Sequence, residues 1–303
     1  MSPLSEARAA NAAFAPAYLP VALFVGGTAG IGRAAAAAFA RHTHGRAHII
    51  IAGRSRAAGE AALASFPRAP ESRYEFVQCD VSLIANVRAT ASALRSSLPK
   101  LNFLVVSTGL MTLKGRDETA EGLDRKMVLD YYARWALVRE LMPLLRAAKD
   151  AGEDAKVLSV LAAGQGGPID LANLDLKTGY SLPRVMEAAA TYNDIMIESF
   201  AEQQPDMAFT HVFPGLVRTD LTRPAHWALA PLWLLMQAAM YPLSIAPEES
   251  AEYVLHALLA GERGAFRRGD RAQLLENAGK SYHVTEEAKA KLWAHTVAAT
   301  TAA

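Results

Sequence analysis

Apolar residues in this chain gather into short continuous runs, separated by longer stretches in which they recur at helical spacing. The runs cover residues 21–25, 48–52, 74–79, 101–106, 156–161 and 208–213, with a shorter one at 264–267. Runs of this kind, unbroken by polar alternation, predict strands buried on both faces. Helical periodicity spans residues 31–41, 56–65, 83–98, 123–149, 182–203 and 247–259, and a last helix is expected at 286–297. Strands alternating with helices require right-handed crossovers, so the expected fold is α/β, a doubly wound parallel sheet of about seven strands with helices on both faces. No repeat, long linker or low-complexity block divides the chain. A single domain over 21–303 is expected, preceded by an N-terminal arm at 1–20.

Composition narrows the function classes. The 303 residues are 51% hydrophobic and 20% charged with a formal net charge of +1, which gives no electrostatic reason for nucleic acid or an anionic membrane as partner. The single cysteine, Cys79, excludes an internal disulfide and suits a reducing, cytoplasmic setting; its place at the end of an apolar run marks a buried, inert thiol. Residues 1–20 lack the continuous apolar core of a signal peptide. One stretch departs from the average: residues 226–247 contain no Asp, Glu, Lys or Arg and are crowded with Trp227, Trp233, Leu234, Leu235, Met236 and Met240. Pro231 and Pro242 interrupt it, which argues against a membrane span. Two readings remain, plain core or a hydrophobic lid at about 220–247 over an apolar substrate.

Gly26, Gly30 and Gly32 follow the first apolar run directly and lead into a helix, with Thr28 and Ile31 among them. Glycines at such a turn let the backbone approach a pyrophosphate, and the helix's free N–H groups and positive dipole end receive the phosphates. A dinucleotide bound in a Rossmann fold is therefore expected. The second run ends in Ala52-Gly-Arg54-Ser55-Arg56, where a ribose 2′-hydroxyl would call for a carboxylate. Arg54 and Ser55, with Arg33 and Arg56 nearby, suit a 2′-phosphate instead, so the expected cofactor is NADP(H). No His, Cys, Asp or Glu cluster has metal-ligand spacing, and no Gly-x-Ser-x-Gly elbow is present.

The spacing Gly-x3-Gly-x-Gly resembles the short-chain dehydrogenase/reductase family, and further matches follow in order over residues 21–270. Cys79-Asp80-Val81 is similar to the family's Asp-Val pair beside adenine. Val106-Ser107-Thr108-Gly109 stands where the family has Asn-Asn-Ala-Gly and keeps the glycine, Gly109. Phe213-Pro214-Gly215-Leu216-Val217-Arg218-Thr219 resembles the loop whose backbone holds the nicotinamide amide and whose threonine reaches a phosphate. The stretches Phe-Val-Gly-Gly-Thr and Tyr-Asn-Asp are similar to a fungal branch in particular. The resemblance implies hydride transfer between NADP(H) and a small apolar carbonyl or alcohol. It also implies a homodimer or homotetramer built through the helices at 123–149 and 182–203.

The family's catalytic tetrad is degenerate here. Carbonyl-reducing members pair a tyrosine with a lysine four residues on, beside a serine and a relay asparagine, but no Tyr-x3-Lys lies between the fifth run and Pro214. The nearest pattern is Tyr180 with Arg184, which makes Tyr180 the candidate proton donor and Arg184 a partner that stabilises a phenolate without relaying a proton. A second alignment puts Glu187 and Thr191 at the paired positions. Ser159 is the hydroxyl nearest the serine position. Asp130 falls near the relay asparagine, where a buried carboxyl would be a candidate acid or base. Tyr131, Tyr132 and Tyr192 read as core, and His211 as a buried histidine. The altered tetrad keeps two alternatives open. One is a non-redox isomerase, cyclase or dehydratase using Asp130, Tyr180 or Glu187; the other is a catalytically silent nucleotide-binding protein.

Overall fold

The computed structural model describes residues 3–112, 114–219, 238–275 and 285–302, together with Trp233 and Leu235. Within these, β1 (Val21–Val25), β2 (His48–Gly53), β3 (Arg73–Gln78), β4 (Phe103–Val106), β5 (Lys156–Val160), β6 (Ala208–Val212) and β7 (Gly264–Arg268) form one parallel sheet. The order is β3-β2-β1-β4-β5-β6-β7, so chain direction across the sheet reverses between β1 and β4. That reversal opens a crevice beyond the carboxyl ends of β1 and β4, where doubly wound folds bind ligands.

Alternation along the strands builds two cores. Leu23 and Val25 of β1 face α4 (Ile84–Ser97), α5 (Ala133–Asp150), α6 (Leu182–Gln203) and α8 (Glu286–Ala302). Ala22 and Phe24 face the opposite layer, which contains α1 (Leu4–Ala12), α2 (Gly30–His42), α3 (Arg56–Ala64) and α7 (Pro247–Leu259). Strand and helix positions match the periodicity closely, with two exceptions.

The first exception is the amino terminus. Residues 4–12, expected as an arm, are helix α1; Ala7 is fully buried and Asn11 donates from Nδ2 to the Glu252 carbonyl and Oε2, each at 2.9 Å. Alanine's high helix propensity and this buried bond to α7 fix a segment whose weak amphipathic pattern concealed it.

The second exception is the helix expected at 123–149. It is broken into a turn, Arg125–Met127, a π-helical stretch, Val128–Tyr132, and α5. The carbonyl of Leu129 accepts from Thr108 Oγ1 (3.0 Å) and Arg134 Nε (3.1 Å), and that of Asp130 accepts from Asn193 Nδ2 (2.7 Å). These side chains stabilise the widened turn from β4, α5 and α6.

The α8 helix lies across the helices expected to form an oligomer interface. Trp293 meets Trp135 and Phe200 edge-on at 5.1 and 5.2 Å, and Lys289 bridges to Glu202 at 2.7 Å. The expected lid falls largely outside the described residues. Among the described residues no helix is long and apolar enough to cross a membrane, and no group of three or more His, Cys, Asp or Glu could hold a metal.

Candidate active site

The turn from β1 into α2 leaves room for a ligand because its glycines carry no side chains there. Gly30 has φ +54°, and a Cβ on Gly32 would lie 2.2 Å from Ser107 Oγ and 2.5 Å from the Gly26 carbonyl oxygen. The glycine loop thus rests directly on the exit of β4. Ala29, the N-cap of α2, supplies no side-chain cap, so the first-turn N–H groups around Ile31 are open to an external acceptor. A dinucleotide pyrophosphate fits this cradle by both shape and charge.

Thr28 packs against Gly53 at the end of β2, where a Cβ would lie 2.7 Å from the threonine methyl. Thr28, Arg33 and Arg41 line a cleft of about 420 Å³ between α2 and α3. Arg33 and Arg54 are exposed, and neither makes an ion pair with a described residue, whereas Arg56 is bound to Glu60 at 3.3 Å. Ser55 caps α3, its Oγ accepting from the Ala58 N–H at 3.2 Å. Asp80 turns Oδ1 onto the Ser82 N–H at 3.0 Å, and Val81 is buried beside it.

The loop after β6 closes the crevice from the far side. Thr219 reaches the glycine loop: a Cβ on Gly30 would lie 3.3 Å from its methyl. Gly215 sits against Asp270 with φ +73°, next to Pro214. Val217 bridges Ile245, whose N–H donates to the Leu216 carbonyl at 2.9 Å. Leu216, Tyr241 and Leu243 are left exposed by this arrangement, forming an apolar rim.

Deeper in the site, the serine expected to touch substrate is sealed. Ser159 is fully buried, accepts from Arg134 Nη1 at 2.7 Å and donates to Asn193 Oδ1 at 2.8 Å. Arg134 is equally buried and also donates to the carbonyls of Val160 (2.8 Å) and Thr108. Burial pulls its guanidinium down to about 10, so it stays charged at neutral pH. The sequence offered no signal for this clamp, because its members come from α5, β5 and α6. Ser159 therefore belongs to a network that ties the exits of β4 and β5 to the π-helical stretch.

Tyr180 and Arg184 are not brought together. Tyr180 donates to Asp124 Oδ2 at 3.1 Å and accepts from Lys126 Nζ at 3.0 Å, while Arg184 bonds the Gly179 carbonyl and approaches Asp170 on the surface. Burial and then the Asp124 carboxylate push the Tyr180 phenol upward, which makes it a poorer acid than a free tyrosine. Glu187 is exposed beside Gly167, and Thr191 both accepts from and donates to the Gly167 backbone. Tyr131, Tyr132 and Tyr192 are core residues bonded to Thr296, His295 and the Leu174 carbonyl. His211 is fully buried; its Nε2 accepts the Ala162 N–H at 3.1 Å, which leaves the ring proton on Nδ1 facing Asp194 Oδ1 at 2.6 Å.

Asp130 is different. It stands in the π-helical stretch with its carboxyl toward β4, where a Cβ on Gly109 would lie 3.6 Å from Oδ1. No described residue gives that carboxyl a hydrogen bond. Burial pushes it up to about 7, against the pull of Arg134 and with the repulsion of Asp124.

Comparison with known proteins places the chain in a family. The sequence model of the short chain dehydrogenases matches residues 20–168. An oxidoreductase of Emericella nidulans is 34% identical over 73% of this chain, and the chain spans 65% of that protein's length. An Emericella variicolor oxidoreductase is 33% identical over 84% of this chain and 74% of its own length. Among solved structures, an alcohol dehydrogenase from Thermococcus sibiricus complexed with 5-hydroxy-NADP superposes with a TM-score of 0.60 at 19% identity, covering 86% of this chain and all of that one.

Proposed function

Because the chain belongs to the short chain dehydrogenase family of oxidoreductases, we propose that it uses NADP(H) to interconvert a small apolar carbonyl and its alcohol in the cytoplasm. The observation that carries the cofactor choice is the exit of β2. No carboxylate stands there to bind a 2′-hydroxyl, and Arg33 and Arg54, exposed and without an ion pair to any described residue, suit a 2′-phosphate by charge-assisted hydrogen bonds. The NADP analogue bound by the Thermococcus enzyme supports the same reading. The exposed Leu216, Tyr241 and Leu243 support an apolar substrate, since they would be covered when one binds.

When bound, the nicotinamide supplies or accepts the hydride. The chain's own residues bind, orient and exclude water. The α2 amino terminus and Thr219 would hold the pyrophosphate, Asp80 and Val81 the adenine, and the backbone at Pro214, Gly215 and Val217 the nicotinamide amide. Gly109 and the Arg134 clamp fix the floor of the crevice, so the carbonyl is positioned rather than tumbled. The sealed Ser159 and the bound Tyr180 favour one rival reading, a non-redox isomerase, cyclase or dehydratase on the same scaffold.

Calorimetric titration with NADPH and with NADH tests the cofactor claim. NADPH should bind at least about tenfold more tightly than NADH. Gly30→Arg should abolish binding by filling the space under Thr219. Equal affinities would remove the 2′-phosphate reading. Binding of neither nucleotide would favour the non-redox rival.

A further inference from the structure

We infer that Asp130 is the catalytic proton donor and acceptor of this enzyme, in place of a tyrosine. This rests on the oxidoreductase reading and adds the group that moves the proton. Three observations lead to it. The alternatives are already occupied: the Ser159 hydroxyl donates its one proton to Asn193 and accepts from Arg134, and the Tyr180 hydroxyl donates to Asp124 and accepts from Lys126. The backbone around Asp130 is widened into a π-helical turn, and side chains of Thr108, Arg134 and Asn193 take up the carbonyls of residues 129 and 130. All of that bonding goes to the backbone, and no described residue bonds the carboxyl itself. Finally, the carboxyl lies against Gly109, and Ser107 and Thr108, just before Gly109, meet the glycine loop at Gly26.

The charged groups facing Asp130 come from two elements. Arg134 of α5 and Lys126 of the preceding turn favour its carboxylate; Asp124 of that turn disfavours it; Thr108 and Gly109 of the β4 exit and Asn193 of α6 carry no charge. Burial outweighs the two cations, so the group holds its proton up to about pH 7 and is poised to give or take one near neutrality. In the reducing direction the hydride arrives with its electron pair from reduced nicotinamide and forms the new C–H bond. The carbonyl π pair moves to oxygen, and that oxygen takes the Asp130 proton. The carboxyl O–H bond breaks, leaving a carboxylate that solvent reprotonates.

The test combines a readout of the free protein with turnover. In wild-type protein with 13C-labelled aspartate carboxyls, one signal should titrate between pH 6 and 8 and be missing from Asp130→Asn. NADPH affinity of Asp130→Asn should stay within about threefold, while reduction of the best of a panel of apolar aldehydes falls by about 100-fold or more. Asp130→Glu should recover part of that loss. Independently of any variant, wild-type reduction should decline as pH rises above about 7. Turnover of Asp130→Asn within threefold of wild type, or no carboxyl titrating between pH 6 and 8, would overturn the assignment to Asp130 alone. Failure of the wild type to bind either nucleotide would overturn the oxidoreductase reading and this role with it.

Discussion

Glu252 is buried and Asp130 half-buried, both on helical segments flanking the sheet, and the protein treats the two carboxyls in opposite ways. Around Glu252 three side chains commit donors to the carboxylate: Asn11 Nδ2 at 2.9 Å, Arg41 Nη2 at 2.7 Å and His42 Nε2 at 2.9 Å. Burial by itself would raise Glu252, but these bonds outweigh it and hold the carboxyl below its usual range. Around Asp130 the nearby donors are turned to backbone carbonyls and to Ser159, and burial wins. One region uses a buried charge to join α1, α2 and α7. The other keeps a half-buried carboxyl without a hydrogen bond from any described residue beside the crevice, an arrangement more common at functional than at structural sites.

The sharpest way to break this contrast is to remove the satisfied carboxyl. Glu252→Ala should cost about 3 kcal/mol by stranding His42 and Asn11, measured by urea unfolding at pH 7. Since its folded pKa is depressed, the Glu252 contribution is full above the ordinary value of 4.5 and is lost as pH falls through the lower folded value. A cost below about 0.5 kcal/mol would mean that α1 is held by packing and not by this cluster.

Asp130→Asn should act with the opposite sign. The folded chain keeps the Asp130 proton up to about 7, whereas the unfolded chain releases it near 3.8, so its contribution is full below 3.8 and is lost as pH rises through 7. The variant should therefore be more stable than wild type at pH 8 by up to about 4 kcal/mol, with the gain vanishing below pH 4. A variant less stable than wild type at pH 8 would mean that Asp130 is a satisfied structural acid like Glu252.

Tyr180→Phe should have the smallest effect. It removes one bond to Asp124 and one from Lys126, a loss of about 1 kcal/mol, and should leave turnover within about threefold. A hundredfold loss of turnover would return proton transfer to the phenol.

The two regions also differ in how far the sequence reveals them. The fold and the glycine turn after β1 were legible because both rest on local signals: apolar runs such as 21–25, and glycines whose spacing alone defines a turn. The chemical centre was less so. Asp130 was readable as a candidate, but its lack of a partner depends on where Thr108, Arg134 and Asn193 point, three residues on three elements. The break at residues 128–132 was hidden because apolar periodicity runs through it, and its cause lies in tertiary bonds to two carbonyls. Tyr180 was paired with Arg184 by spacing, whereas its partners, Asp124 and Lys126, precede it with the π-helical stretch, α5 and β5 in between. In α1, alanine-rich composition gave helix propensity but too weak an amphipathic stripe to announce the docking of Ala7 and Asn11.

The most direct test of hydride transfer is isotopic. The wild-type enzyme is supplied with NADPH carrying deuterium at both C4 positions and with an apolar aldehyde, and the product is analysed by mass spectrometry and deuterium NMR. An alcohol bearing deuterium on its carbinol carbon, formed in step with NADPH consumption, is the predicted result. A product free of deuterium, released with NADPH unconsumed, would contradict it and identify the protein as a non-redox enzyme on a dehydrogenase scaffold.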